Sequence, residues 1–191
     1  MRKLLYISFV LLLLNCFTGY SQEQLSEQAN VSVITCGPGD ELYSSFGHSA
    51  FRIHDPVNKL DRIYNYGTFD FNAPNFYLNF AKGNLIYMLS TTDFEYFLRV
   101  YSYENRWVKA QVLNLEATEV QAFYEFLERN AKPQNRKYRY DFFFDNCATR
   151  IEDVTKAVLK DKVSFTNTHI TTHKSHRTLI DDYAGSHAWG K

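Results

Sequence analysis

Neither sign of charge prevails in this 191-residue chain, where 21 lysines and arginines stand against 21 aspartates and glutamates. With no basic excess or stripe, the composition argues against a nucleic-acid partner. Beyond the first two dozen residues no apolar run is long enough to cross a bilayer. Internal repeats and low-complexity linkers are missing too, so the length allows one compact domain with or without a tail. Cysteine is scarce, at positions 16, 36 and 147 only, which excludes a dense disulfide scaffold.

What is present is aromatic and exported. Aromatics make up 17% of residues, enough to fill a core and still line a groove for apolar or amphipathic ligands. The start, MRKLLYISFVLLLLNCFTGYSQEQ, has a basic n-region, a short apolar run and a small-residue site at Gly19-Tyr20-Ser21. It reads as a secretory signal peptide cleaved after Ser21. Cys16 raises a lipoprotein reading, against which Asn15 stands where a small residue is wanted. Removal of residues 1–21 leaves Cys36 and Cys147, and in an oxidising compartment two cysteines pair by default.

Strands and helices interleave. VSVITC (31–36), HSAFRI (48–53) and RIYNYG (62–67) are β-branched or alternating and read as strands, with His48, Ala50 and Arg52 opposite Ser49, Phe51 and Ile53. PNFYLNFAKG reads as a helix stopped at Gly83, NLIYMLS as a strand, and TDFEYFLRVYSYEN as a helix capped by Thr92 or Asp93. RWVKAQVLNL (106–115) follows as a strand, then a helix with a Thr118/Gln121 capping box and a stripe of Val120, Phe123, Tyr124 and Leu127. YRYDFFF (138–144) alternates as a last strand before an amphipathic helix at Cys147. The class is α+β with a mostly antiparallel sheet. Past residue 161 the chain is polar with one short helical piece, RTLIDDY, and its ending GSHAWGK suggests continuation into a longer protein.

The segment FDNCATR (144–150) sets the chemical question. Asn146 caps the helix and leaves Cys147 in the first turn, where unpaired N–H groups and the dipole favour thiolate. The same N–H groups suit an oxyanion formed when a carbonyl is attacked. A cysteine nucleophile also needs a histidine and a polar group to orient its ring. Of six histidines, His48 opens an alternating strand after Gly47, and a hairpin would bring Asn65 beside it. His54 is a reserve base ahead of Pro56, and His169, His173 and His176 form a spaced run whose β-branched surroundings favour a solvated loop over zinc. No metal or other cofactor is expected.

ITCGPGDELYSSFGHSAFRIHDP, IYNYGTFDFNAPNFYLNFAKG and YRYDFFFDNCATRI resemble the N-terminal periplasmic domain of the Lnb lipoprotein N-acyltransferase family of Bacteroidetes, over roughly residues 30–160. That family is similar in turn to circularly permuted NlpC-type papain-like proteins and the lecithin retinol acyltransferase group. In the permuted order a histidine strand comes first, a polar residue one strand later, and a distant Asn-Cys last. The resemblance implies Cys147 as nucleophile, His48 as base and Asn65 as orienter. Tyr64 or Tyr66 could instead face the site, with Cys36, Asp145 and Arg150 as substrate-side residues. Cys36 has three open roles: disulfide partner of Cys147, second thiol lining the site, or nucleophile.

The resemblance further implies a papain-like domain over 22–165, an extension over 166–191, and periplasmic acyl transfer. Cys147 would take a chain from a phospholipid as a thioester and pass it to the N-terminal amine of a lipoprotein. Members of that family carry membrane helices after this domain, and none follows here. One rival is a cysteine amidase or peptidase acting on cell-wall peptides, with water as acceptor. The other is a binding module stapled by Cys36–Cys147.

Overall fold

The computed structural model describes residues 23–41, 44–70, 72–166, 168 and 174–184. In chain order these form β1 (Asn30–Cys36), β2 (His48–Asp55), β3 (Leu60–Phe69), α1 (Phe76–Ala81), β4 (Leu85–Asp93) and α2 (Phe94–Tyr103). There follow β5 (Val108–Val112), α3 (Ala117–Ala131), β6 (Lys137–Tyr140), α4 (Cys147–Leu159), a 3-10 turn at Lys160–Lys162, and α5 (His176–Ala184). The expected signal peptide lies outside the described residues. The strands make one antiparallel sheet in the order β5-β1-β2-β3-β4-β6. The fold is α+β.

Alternation along the strands divides the core in two. On one face Val31, Phe51, Ile53, Tyr64, Tyr66 and Leu89 pack with Val120, Phe123, Tyr124 and Leu127 of α3 and Val154 of α4. The stripe read from the sequence of α3 is the buried one, and each fully buried ring or aliphatic side chain there contributes about 1.5–3 kcal/mol. On the other face Ile34, Cys36, Ala50 and Ile63 lie under Phe97 and Tyr101, one turn apart on α2. Arg52 closes that layer, paired with Asp61 through two hydrogen bonds of 2.6 and 2.8 Å and set 3.7 Å over the Phe94 ring.

The N-terminal segment is tied down by a carboxylate. Asp55, fully buried at the end of β2, accepts from the Ser26 amide at 2.7 Å and the Ser26 hydroxyl at 2.6 Å, and from Val57 and Asn58 amides. Burial pushes its carboxyl up, but these donors outweigh it and bring the group down to about 2.

Two local expectations are corrected. The capping box of α3 is Glu116 with Glu119, not Thr118 with Gln121, so the helix begins two residues earlier than the hydroxyl suggested. The alternating stretch 138–144 is a strand only through Tyr140. After it Asp141 turns the chain: its Oδ1 accepts from the Phe143 and Phe144 amides at 2.9 Å, and its backbone bridges Asp145. An aspartate that bonds amides two and three residues on makes a turn out of a strand-like pattern.

Candidate active site

Cys147 is the first residue of α4. Asn146 caps the helix, its Oδ1 accepting from Ala148 N–H at 2.8 Å and Thr149 N–H at 3.0 Å, while Thr149 Oγ1 takes the Asn146 amide at 2.8 Å. The Asn146 side-chain nitrogen also donates to the Phe142 carbonyl at 2.8 Å, which fixes the preceding loop. Burial raises the Cys147 thiol above its ordinary value, opposed in part by the amides of Ser49, Ala148 and Cys147 itself. The helix start therefore does not yield a resting thiolate: burial outweighs the dipole. Cys36 and Cys147 are both free thiols.

His48 stands where β2 begins. Its Nε2 lies 2.8 Å from Asn65 Oδ1. The Gly67 amide, which must be a donor, meets the same Asn65 atom at 2.6 Å and so identifies it as the carbonyl oxygen. Hence Nε2 carries the proton and donates, and Nδ1 of the neutral ring is left with a free lone pair. Burial holds the imidazole down to about 4, against the Asn65 hydrogen bond that favours its charged form. Gly67 makes room for the ring, since a Cβ there would stand 2.4 Å from His48 Cε1 and 3.1 Å from Nδ1. Gly47, at φ +75°, lets the chain pass the Cys36 carbonyl, 2.8 Å from where its Cβ would be.

The two halves meet at a seam. By alternation His48 and Asn65 belong to the face of Cys36 and Ile63, whereas α4 covers the face of Phe51 and Tyr64. Pairing of β2 with β3 stops at Phe51↔Tyr64, and β3 bulges between Asn65 and Thr68. In this opening the amide of Ser49, next in chain to His48, faces the Cys147 sulfur. The loops just before each residue also touch: the Phe46 and Phe142 rings meet edge-on at 4.8 Å. Among the described residues no hydrogen bond joins Cys147 directly to His48 at rest.

Other predicted residues are placed as follows. Tyr64 is fully buried and donates to Glu128 at 2.6 Å, beside Arg62, so it is core and offers nothing to a ligand. Tyr66 is buried with its hydroxyl accepting from Asn130 at 3.2 Å, and is corrected in the same way. Arg150 is not free for an anion: it donates twice to Asp145 at 2.6 and 2.7 Å, its guanidinium 4.3 Å over Tyr138. Cys36, opposite His48 in the β1–β2 register, is buried and pushed up to about 11 by burial, against a Tyr101 hydrogen bond. His54 sits six residues along β2 from His48, about 20 Å away at strand rise. His169 and His173 lie outside the described residues, and His176 stacks on Phe143 at 4.3 Å.

Five residues near the site were not assigned to it from the sequence. Gly67 and the Ser49 amide carried no signal beyond their neighbours. Tyr138 and Tyr140 had one, because the alternation of YRY already set two tyrosines on one side of the strand that leads to Cys147, whereas Tyr87 on β4 had none.

Fold and site together define an α+β domain with a free thiol at a capped helix start, facing the Ser49 amide, and with a histidine held by asparagine one residue before that amide. The chain belongs to the Lnb N-terminal periplasmic domain family, whose profile matches residues 17–181. The match continues past 165, the boundary expected from the sequence. Neither a curated protein nor a solved structure matches the chain. Membership makes this an exported, periplasmic domain, and among the described residues no helix is long and apolar enough to cross a membrane.

Proposed function

We propose that this domain is a thiol acyltransferase of permuted papain-like type, with Cys147 as nucleophile and His48 as base. The observation that carries the reading is the pairing of His48 Nε2 with Asn65 Oδ1, which leaves Nδ1 unprotonated while the Ser49 amide faces the Cys147 sulfur. Thiol and imidazole both rest neutral, so the thiol gives its proton to Nδ1 as sulfur attacks, not before. Sulfur bonds to the acyl carbon of a phospholipid ester, and the glycerol oxygen leaves with the proton from His48. The amine at the N-terminus of a lipoprotein then attacks the thioester, His48 accepts its proton, and the chain departs as an amide while the thiol re-forms.

An acyl donor of low polarity suits the aromatic rim. Phe144 is 72% exposed and Phe142 38% exposed, in the loop that delivers Cys147. The test is incubation with phospholipid vesicles followed by mass spectrometry. A hydroxylamine-sensitive acyl adduct on Cys147, absent from His48→Ala, is expected. An adduct at another residue overturns the assignment, and turnover of cell-wall peptides without acylation would favour the amidase reading.

A further inference from the structure

Two of the helix-start amides that the sequence points to as oxyanion donors are occupied. Ala148 and Thr149 N–H, the amides at the start of α4, are already bonded to Asn146 Oδ1. Arg150, the cation one turn along, is neutralised by Asp145. A carbonyl attacked by Cys147 needs other donors to receive its developing negative charge.

Two hydroxyls meet that need. Tyr87 on β4 and Tyr140 on β6 stack at 4.1 Å between centroids, with ring planes 21° apart. Register pairs Tyr87 with Tyr138 and Leu85 with Tyr140, so both rings rise from the sheet face that carries α4. Both lie within the electrostatic reach of the Cys147 sulfur. Tyr138, the third tyrosine there, spends its hydroxyl on the Tyr66 carbonyl. Among the described residues the Tyr87 and Tyr140 hydroxyls have no hydrogen-bond partner, though both rings are half-buried. Burial pushes both phenols up, Tyr87 to about 12, so they remain donors at any physiological pH.

We infer that Tyr87 and Tyr140 are catalytic residues whose hydroxyls hydrogen-bond the acyl oxygen while Cys147 attacks it. The inference rests on the acyl-transfer reading above. As the sulfur–carbon bond forms, the carbonyl π pair moves onto oxygen and is held by the two O–H groups. The thiol proton goes to His48 Nδ1. When the oxygen pair returns, the ester oxygen leaves with that proton, and both phenols keep their own.

The experiment compares wild type, Tyr87→Phe, Tyr140→Phe and the double variant, because phenylalanine keeps the stacked rings. Two rates are measured: Cys147 acylation by phosphatidylethanolamine vesicles, and Cys147 alkylation by iodoacetamide, which forms no oxyanion. Each single variant is expected to lose about tenfold or more in acylation, and the double variant about a hundredfold or more, with alkylation within about twofold of wild type. Undiminished acylation in the double variant overturns the inference alone. Equal losses in both rates also overturn it, since they would mark a structural role. Failure of wild type to acylate Cys147 overturns the acyl-transfer reading, and this inference falls with it.

Discussion

The Phe46 ring stands edge-on to Phe142 at 4.8 Å, joining the loop that ends at His48 to the loop that ends at Cys147. It joins the two halves of the site, and Phe46 is shared with Tyr183 of α5 at 5.4 Å. Such an edge contact is worth about 0.5–1.5 kcal/mol beyond area burial. Phe142→Ala is expected to lower stability by about that amount plus part of a buried ring. It should also slow acylation from long-chain phospholipid more than from a short-chain soluble thioester. Equal slowing of both donors would sink the assignment of this rim to the acyl chain.

Substitution of Gly67 tests the histidine clamp. An alanine Cβ would stand 2.4 Å from His48 Cε1, so the ring must turn away and give up Asn65. Gly67→Ala should leave the far-ultraviolet dichroism unchanged and reduce Cys147 acylation about a hundredfold or more, the usual worth of a positioned base. Asn65→Ala should do the same by freeing the ring's tautomer. Wild-type rates in both variants would remove His48 from the mechanism.

The two thiols should differ in reactivity. Cys36 is 2% exposed and pushed up to about 11 by burial, so in the folded domain iodoacetamide should leave it unmodified at neutral pH. Cys147 is also raised by burial, so its alkylation should continue to increase with pH above the midpoint of free cysteine, about 8.5. Denaturation of the domain without residues 1–21 should expose two thiols under non-reducing conditions. A count of zero would establish the disulfide that both free thiols here exclude.

Acid should loosen the N-terminal segment. Asp55 titrates at about 2 in the fold against an ordinary value of 3.8, so its contribution is complete above about 3.8 and fades as pH falls towards 2. The melting temperature of wild type is expected to drop across that window, and Asp55→Asn should flatten the drop while losing about 1–3 kcal/mol at neutral pH. An unchanged acid profile in the variant would assign the drop to other carboxylates.

Much of the fold was legible because its signals are periodic. Alternation of His48 through Ile53 separated the two faces, and the apolar stripe of α3 named its buried residues. The Asn65–His48 hydrogen bond was readable as a hairpin neighbour, and Asn146 as a cap. What failed were judgements between competing local partners. Glu116 took the cap from Thr118, because the helix started where the carboxylate could reach the amide. Asp141 ended β6 early by bonding its own turn. Tyr64 and Tyr66 flank Asn65 in sequence, yet period two sends them through the sheet to the opposite core.

The clamp on the imidazole and the arrival of the sulfur differ in contact order. Asn65 lies 17 residues beyond His48, within one pair of neighbouring strands, so that half of the site assembles by short loop closure. Cys147 arrives only after β6 has added four residues to the edge beside β4 and α4 has docked behind it. Chain closure from position 48 to 147 is the slower event on topological grounds. A folding domain therefore orders the His48 ring before α4 brings Cys147 to the sheet.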